Sequence, residues 1–254
     1  MTTDTAAWQK AKENFDRDGF AVLKGFLSGR SRDQWLEQVD RFLTDVLPTL
    51  APKTVLFEDK SRPETFLYVS SMDKSDSYFR KLLEQGSCRQ LTEFLLGQPA
   101  TPIGASIFNK PPRVGRGTPP HQDAYYWMLD PNEALTLWIA VDRSDESNGC
   151  VRYVPGSHKS GIRPHEPSKA FGFSQKISDF SPADEQAEVA VPIEPGDLIA
   201  HHCMTIHRTE DNPSDRSRRA LGLVYYAQRA KVDEARHKAY NEKVKQDWAK
   251  ENKL

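Results

Sequence analysis

From Thr101 to Gln228 the chain is cut into short apolar runs by Pro, Gly, Asn and Asp. The runs include SIFNKPP, HQDAYYWML, ALTLWIAVD, CVRYVPGSH and RRALGLVYYAQ. Segments of that length and punctuation form short antiparallel strands, and a series of them forms an all-β barrel or sandwich. The first hundred residues read differently. Trp8 to Arg17 has helical spacing, and Gly19 to Leu27 is a short strand bounded by glycines. Ser31 to Leu47 is an amphipathic helix with Ser31 as its cap and Pro48 as its stop. Ser77 to Leu96 is a further helix. The fold class expected is therefore mainly β with flanking helices. A helical buttress covers about 1–100, a β-core about 101–230, and a C-terminal helix about 231–254 carries Tyr240, Val244 and Trp248 on one stripe. Residues 164–187 have few strand signals and read as a long loop that carries substrate contacts.

A chain of 254 residues with 37% hydrophobic and 28% charged residues is long enough for one buried core, so a single domain, 1–254, is expected. Its 35 basic and 36 acidic side chains give a formal charge of −1, which supplies no bulk attraction to nucleic acid or anionic membranes. The start has no apolar core of signal-peptide length, and no segment approaches membrane-spanning length. Cys88, Cys150 and Cys203 stand alone, a pattern that argues against a disulfide framework and a zinc-thiolate site. A cytoplasmic monomer or homodimer acting on a small molecule is expected.

The chemistry-bearing feature is His121-Gln122-Asp123. On an extended strand, residues i and i+2 project to one face, so His121 and Asp123 offer an imidazole nitrogen and a carboxylate oxygen to one ion. One distal histidine completes a 2-His-1-carboxylate set with open positions, which suits non-haem Fe(II). After the turn Glu194-Pro195-Gly196-Asp197 comes a run with three histidines. Strand parity puts His201, Cys203, Thr205 and His207 on one face and His202 on the other, which leaves His201 and His207 both open as the third ligand. On the same parity Tyr125 and Trp127 share the ligand face and are expected to line a substrate pocket, with Tyr126 pointing away. Arg218 falls with Ala220 and Gly222, whose small side chains leave room beside it for a carboxylate. Trp138 lies on the less apolar face of ALTLWIAVD, where it can line a pocket or pack in the core.

From Ser106 to Tyr226 these elements, in order, resemble the phytanoyl-CoA dioxygenase (PhyH-like) family of Fe(II)/2-oxoglutarate-dependent oxygenases. They are Lys110-Pro111-Pro112, HQDAYYW, LWIAVD, NGCVRYVPGSHKSG and PGDLIAHHCMTIHRTEDNPSDRSRRAL; DGFAVLKGFLS resembles the family's N-terminal strand. The resemblance implies a double-stranded β-helix, or jelly-roll, core with Fe(II), 2-oxoglutarate and O2. It selects His207 as the distal ligand beside His121 and Asp123. It assigns Arg218 to the distal carboxylate of the cosubstrate and Thr209, Trp138 and Lys110 to its surroundings, with Ile107 on the same strand. It also implies a group from before residue 100, for which Lys60 and Lys74 are candidates. The function implied is hydroxylation of a C–H bond of a small organic substrate, with release of succinate and CO2. Asp123 argues against halogenation, because related halogenases have a small residue there. Two rival readings are a cupin-type metalloenzyme independent of 2-oxoglutarate and a non-catalytic binding module.

Overall fold

In the computed structural model, which describes residues 5–168, 175–240 and 242, the chain enters through helix Thr5–Asp18. Trp8, Ala11 and Phe15 recur at helical spacing, and the last two are buried against the rest of the molecule. Gly19 ends the helix with φ +84°. A Cβ there would lie 2.4 Å from Thr205 Oγ1, so only glycine fits between the helix and the turn that carries Thr205. The strand that follows is Phe20–Leu23, shorter than the expected run to Leu27.

The second helix is Gly29–Arg41 rather than Ser31 to Leu47. Ser31 lies inside it and donates its hydroxyl to Ser28 O (2.8 Å), so it does not cap the helix. After Arg41 the chain widens into a π turn, Phe42–Val46, and then tightens into a 3-10 turn, Leu47–Thr49, that holds Pro48. The expected helix from Ser77 to Leu96 is two helices, Ser77–Glu84 and Ser87–Leu96, separated at Gly86, whose φ of +73° no helix continues through. Phe79, Leu83, Leu91 and Leu95 are buried in one core cluster with Leu135, Leu137 and Leu223 of the sheet beneath.

That sheet has seven antiparallel strands. From edge to edge they are Phe20–Leu23, Leu198–His202, Ala134–Ala140, Arg218–Ala227, Ala100–Lys110, Phe66–Val69 and Val55–Phe57. The last two come from the part expected to be helical. They span four and three residues next to short 3-10 turns that begin at Pro63 and Pro52, too short for a period-2 pattern to show. In Ala134–Ala140, Leu135, Leu137 and Ile139 enter the helix-covered core, while Thr136 and Trp138 face the opposite side. A four-stranded sheet, in the order Val189–Ala190, Val151–Tyr153, His207–Thr209 and Thr118–His121, covers that opposite side. Ala140 and Ile199 of the large sheet pack with Val151 and Tyr153 of the small one. The result is a jelly-roll core with a cavity of about 650 Å³ between its sheets.

The region 164–187 holds more structure than a loop. His165–Pro167 pairs with Gln175–Ile177, and helix Pro182–Ala187 is capped by the Ser181 side chain. Residues 234–240 are helical. Tyr240 lines the cavity and meets the rings of Tyr125 and Tyr126, so the stripe packs inward at this position; Val244 and Trp248 lie outside the described residues. No helix among the described residues is long and apolar enough to cross a membrane. Cys88, Cys150 and Cys203 are free and buried.

Candidate active site

His121 closes the strand Thr118–His121 and His207 opens the strand His207–Thr209. The two are register partners across this antiparallel pair. Asp123 is placed differently. Gln122 is extended, and Asp123 begins the five-residue helix Asp123–Trp127. Gln122 is fully buried and fixes this change of direction. Its amide donates to Met204 O (2.7 Å) and Gly161 O (2.9 Å), and its carbonyl accepts the Arg163 N–H (2.8 Å).

The three side chains converge. One ligand atom from each of His121, Asp123 and His207 lies within 4.8 Å of the others. Asp123 Oδ1 is 3.7 Å from His121 Nε2 and 3.8 Å from His207 Nε2. Each imidazole is oriented from behind, His121 Nδ1 lying 2.8 Å from Pro119 O and His207 Nδ1 3.0 Å from Thr205 O. A carbonyl can only accept, so Nδ1 carries the proton and the Nε2 lone pair is left for a ligand's role. Burial lowers both histidine pKa values, that of His207 to about 3, so both are neutral at pH 7. Burial alone would raise the Asp123 pKa. The hydrogen bond from His201 and the histidines around it outweigh that and hold it below the usual carboxylate range. Two neutral imidazoles and one carboxylate on one side of an open cavity suit an Fe(II) ion with positions left for other ligands.

The same cavity holds a second polar group. Arg218 is 3% exposed, and its Nε and Nη1 have no hydrogen-bond partner among the described residues. Burial lowers its pKa only to about 10, so it stays cationic. Its guanidinium carbon lies 5.5 Å from the centre of the Trp138 ring, whose Nε1 is also buried and unpartnered. Gly222 is the register partner of Trp138, and a Cβ there would come within 3.0 Å of Phe108, so the glycine keeps this end of the cavity open. Lys110 is the register partner of Arg218 on the neighbouring strand. Thr209 lines the cavity and accepts the Thr118 N–H (3.0 Å). A buried, unpaired cation is costly unless an anion joins it. The donor set fits one carboxylate end of a dicarboxylate, with the metal ligands further along the cavity for the other end.

The family model for phytanoyl-CoA dioxygenase (PhyH) matches residues 15–220, which include His121, Asp123, His207, Arg218, Trp138, Thr209 and Lys110. The chain belongs to the phytanoyl-CoA dioxygenase family. It thereby belongs to the Fe(II)- and 2-oxoglutarate-dependent oxygenases. Relatives include a phytanoyl-CoA dioxygenase domain-containing protein 1 homolog of Caenorhabditis elegans, 25% identical over 84% of this chain and 88% of that protein. Phytanoyl-CoA dioxygenase domain-containing protein 1 of Bos taurus is 27% identical over 82% of this chain and 86% of its own length. Among solved structures, the non-heme alpha ketoglutarate dependent carbocyclase SnoK from nogalamycin biosynthesis superposes with a TM-score of 0.71 at 26% identity, covering 88% of this chain and 85% of its own.

In this member of the PhyH family the aromatic wall differs from the strand-parity expectation. Residues 123–127 are helical, so positions three and four after Asp123 share its face and position two does not. Tyr126 and Trp127 line the cavity, whereas Tyr125 stacks on His165 with ring centres 4.1 Å apart and does not line it. Ile107 is wholly buried in the core on the other side of its strand; Ser106 and Phe108 face the cavity instead. Neither Lys60 nor Lys74 lines the cavity. Leu56, Glu58, Leu67 and Tyr68 supply that edge, and the Tyr68 hydroxyl lies 3.0 Å from Ser106 Oγ. His201 and His207 do not share a strand. A turn at Cys203–Thr205 passes the chain from the large sheet to the small one, so parity across it has no meaning. Tyr153, on the strand beside His207, also lines the cavity though it belongs to no metal or cosubstrate motif; the alternation of Val151, Arg152 and Tyr153 is the sequence signal that places it inward.

Proposed function

We propose that this chain hydroxylates a C–H bond of a small organic substrate while 2-oxoglutarate is converted to succinate and CO2. The observation that carries this reading is one cavity with a convergent His-Asp-His set and, facing the same space, a buried arginine with no carboxylate partner among the described residues. His121, Asp123 and His207 would hold Fe(II), and Arg218 would hold the far carboxylate of the cosubstrate, with Trp138, Thr209 and Lys110 around it. Bound iron, cosubstrate and O2 together supply the oxidising power. The protein's own share is geometry and exclusion of water. The paired strands fix the two imidazoles, and Gln122 fixes the turn of the chain that presents Asp123. Tyr126, Trp127, Phe108 and Val224 give the remaining space apolar walls that shield the reacting carbon. Arg218 speaks against a cupin-type enzyme without 2-oxoglutarate, because such an enzyme has no use for an unpaired buried cation beside its metal site.

Anaerobic titration of the protein with Fe(II) and 2-oxoglutarate should produce the weak visible metal-to-ligand band of the chelate. A screen of small molecules by succinate release should then identify the substrate. No band at millimolar Fe(II) and 2-oxoglutarate would sink the reading.

Lys110 adds a prediction. Burial, then the nearby Arg218, lower its pKa to about 6. Its amine donates to Glu210 O (2.8 Å) and to Arg116 O, which uses both N–H groups of the neutral form. An arriving carboxylate raises that pKa, so cosubstrate binding at pH 7.5 takes up a proton, an uptake that fades below about pH 5, where the amine is already charged. Calorimetric titration of Fe(II)-loaded protein with 2-oxoglutarate, in two buffers of different ionisation enthalpy, should show proton uptake that Lys110→Met abolishes. A buffer-independent enthalpy would count against it.

A further inference from the structure

We propose that His201 is a positioning residue that fixes the metal-binding carboxylate, with Tyr153 setting its tautomer; this rests on the metal reading above. Four imidazole and carboxylate groups meet at the end of the cavity, but they do not meet alike. His121 Nε2 and His207 Nε2 face Asp123 Oδ1, whereas His201 Nε2 faces the other oxygen, Oδ2, at 3.4 Å. Thr136 Oγ1 donates to that same Oδ2 from 3.3 Å. His201 comes from the large sheet, where Thr136 is its register partner, so one pair of neighbouring strands carries both groups.

The opposite ring nitrogen of His201 decides what Nε2 carries. Nδ1 lies 3.0 Å from the hydroxyl of Tyr153, which is fully buried. A fully buried phenol hydroxyl needs an acceptor for its hydrogen, and the His201 ring nitrogen 3.0 Å away is the acceptor it meets. Nδ1 therefore accepts, and Nε2 bears the hydrogen that points at the carboxylate. This tautomer is the reverse of that at His121 and His207, where backbone carbonyls hold the proton on Nδ1. Two histidines present lone pairs toward the ion, and the third presents a donor. His201 is thereby excluded as a ligand and assigned to hold Oδ2 away from the metal, leaving Oδ1 as a single donor atom. Tyr153 is itself fixed by stacking on Phe20, ring centres 4.6 Å apart at 15°.

The experiment is an anaerobic titration with Co(II) alone, read by its d–d bands, on the full chain and three variants. His201→Phe should bind Co(II) about 10–100-fold more weakly, the range for losing a partner behind a ligand. Its band absorptivity should also fall, as the released Oδ2 turns to the metal and raises the coordination number. His201→Gln, which keeps an N–H donor, should restore affinity to within a few-fold and recover the wild-type band. Tyr153→Phe keeps the ring, loses the phenol, and should weaken Co(II) several-fold. Unchanged affinity in both His201→Phe and Tyr153→Phe overturns the proposal, as does a His201→Gln protein as weak as His201→Phe. A wild-type chain that binds no Co(II) sinks the metal reading as well, which separates the two failures.

Discussion

Arg218→Met should bind 2-oxoglutarate at least a hundredfold more weakly than the wild-type protein, yet its unliganded form should melt at a higher temperature. The two effects share one cause. The guanidinium is buried, and Nε and Nη1 have no partner among the described residues. Asp142, a carboxylate whose charge acts on it, is taken by Arg219, which donates to both of its oxygens at 2.8 and 2.9 Å. Removing one partner of a buried, hydrogen-bonded ion pair costs roughly 3–5 kcal/mol, or about two to three and a half powers of ten in affinity. In the empty protein that pair does not exist, and only the cost of a desolvated charge remains. Methionine has similar length and no such cost, so a gain on the order of 1 kcal/mol is expected, equal to about 2–4 °C in a chain of this size. Titration of Fe(II)-loaded protein with 2-oxoglutarate checks the first effect, and calorimetric melting of the empty protein checks the second. Arg218→Lys keeps a cation without the planar fork and should fall between. Wild-type affinity in Arg218→Met would return the cupin-type reading to favour.

The second large effect concerns the carboxylate. Asp123→Ala should lose Fe(II) affinity by at least about a hundredfold and turnover by about a thousandfold, because two neutral imidazoles remain without an anion to offset the ion's charge. The pH dependence of metal binding follows from the same burial. A proton competes with the metal for each imidazole, and the competition is set by the imidazole pKa. Burial holds that of His207 to about 3 and lowers that of His121. Metal affinity should therefore begin to fall at a lower pH than it would for exposed histidines of ordinary pKa, which lose their ion as pH drops through about 6.5. In the metal-free protein the sign is equally fixed. The His207 pKa is depressed from 6.5, so its contribution to stability is complete above pH 6.5 and is lost as pH falls toward about 3. Co(II) titrations across pH and acid unfolding of the empty chain measure the two.

The legible parts of the site were those fixed by residue type and strand alternation. Trp138 opposite the leucine face and Arg218 beside Gly222 are placed by period-2 geometry within unbroken strands, and both lie in the cavity. His121 and Asp123 come together as well, but by another route. Parity describes a strand, whereas Asp123 starts a helix after Gln122 has turned the chain. The error passed to the next residues, where helical rotation exchanged Tyr125 for Tyr126. Nothing in HQDAYYWML signals that switch, because the anchors of Gln122 at Gly161, Arg163 and Met204 are distant in sequence. His201 and His207 were likewise separated by a turn with neither Gly nor Pro in it. The two short strands Val55–Phe57 and Phe66–Val69 exist because the larger sheet offers an edge to them, a tertiary cause that local propensity does not carry.

The strand Thr118–His121 is the outermost member of the small sheet, and two of its four residues are prolines that have no N–H to give. Its register with the neighbouring strand rests on Thr118 opposite Thr209 and His121 opposite His207. An ion bound by both histidines would rivet this border strand to its neighbour at one end. Loading with iron would then be a local act of assembly, and loss of the ion would loosen the molecule first at that border.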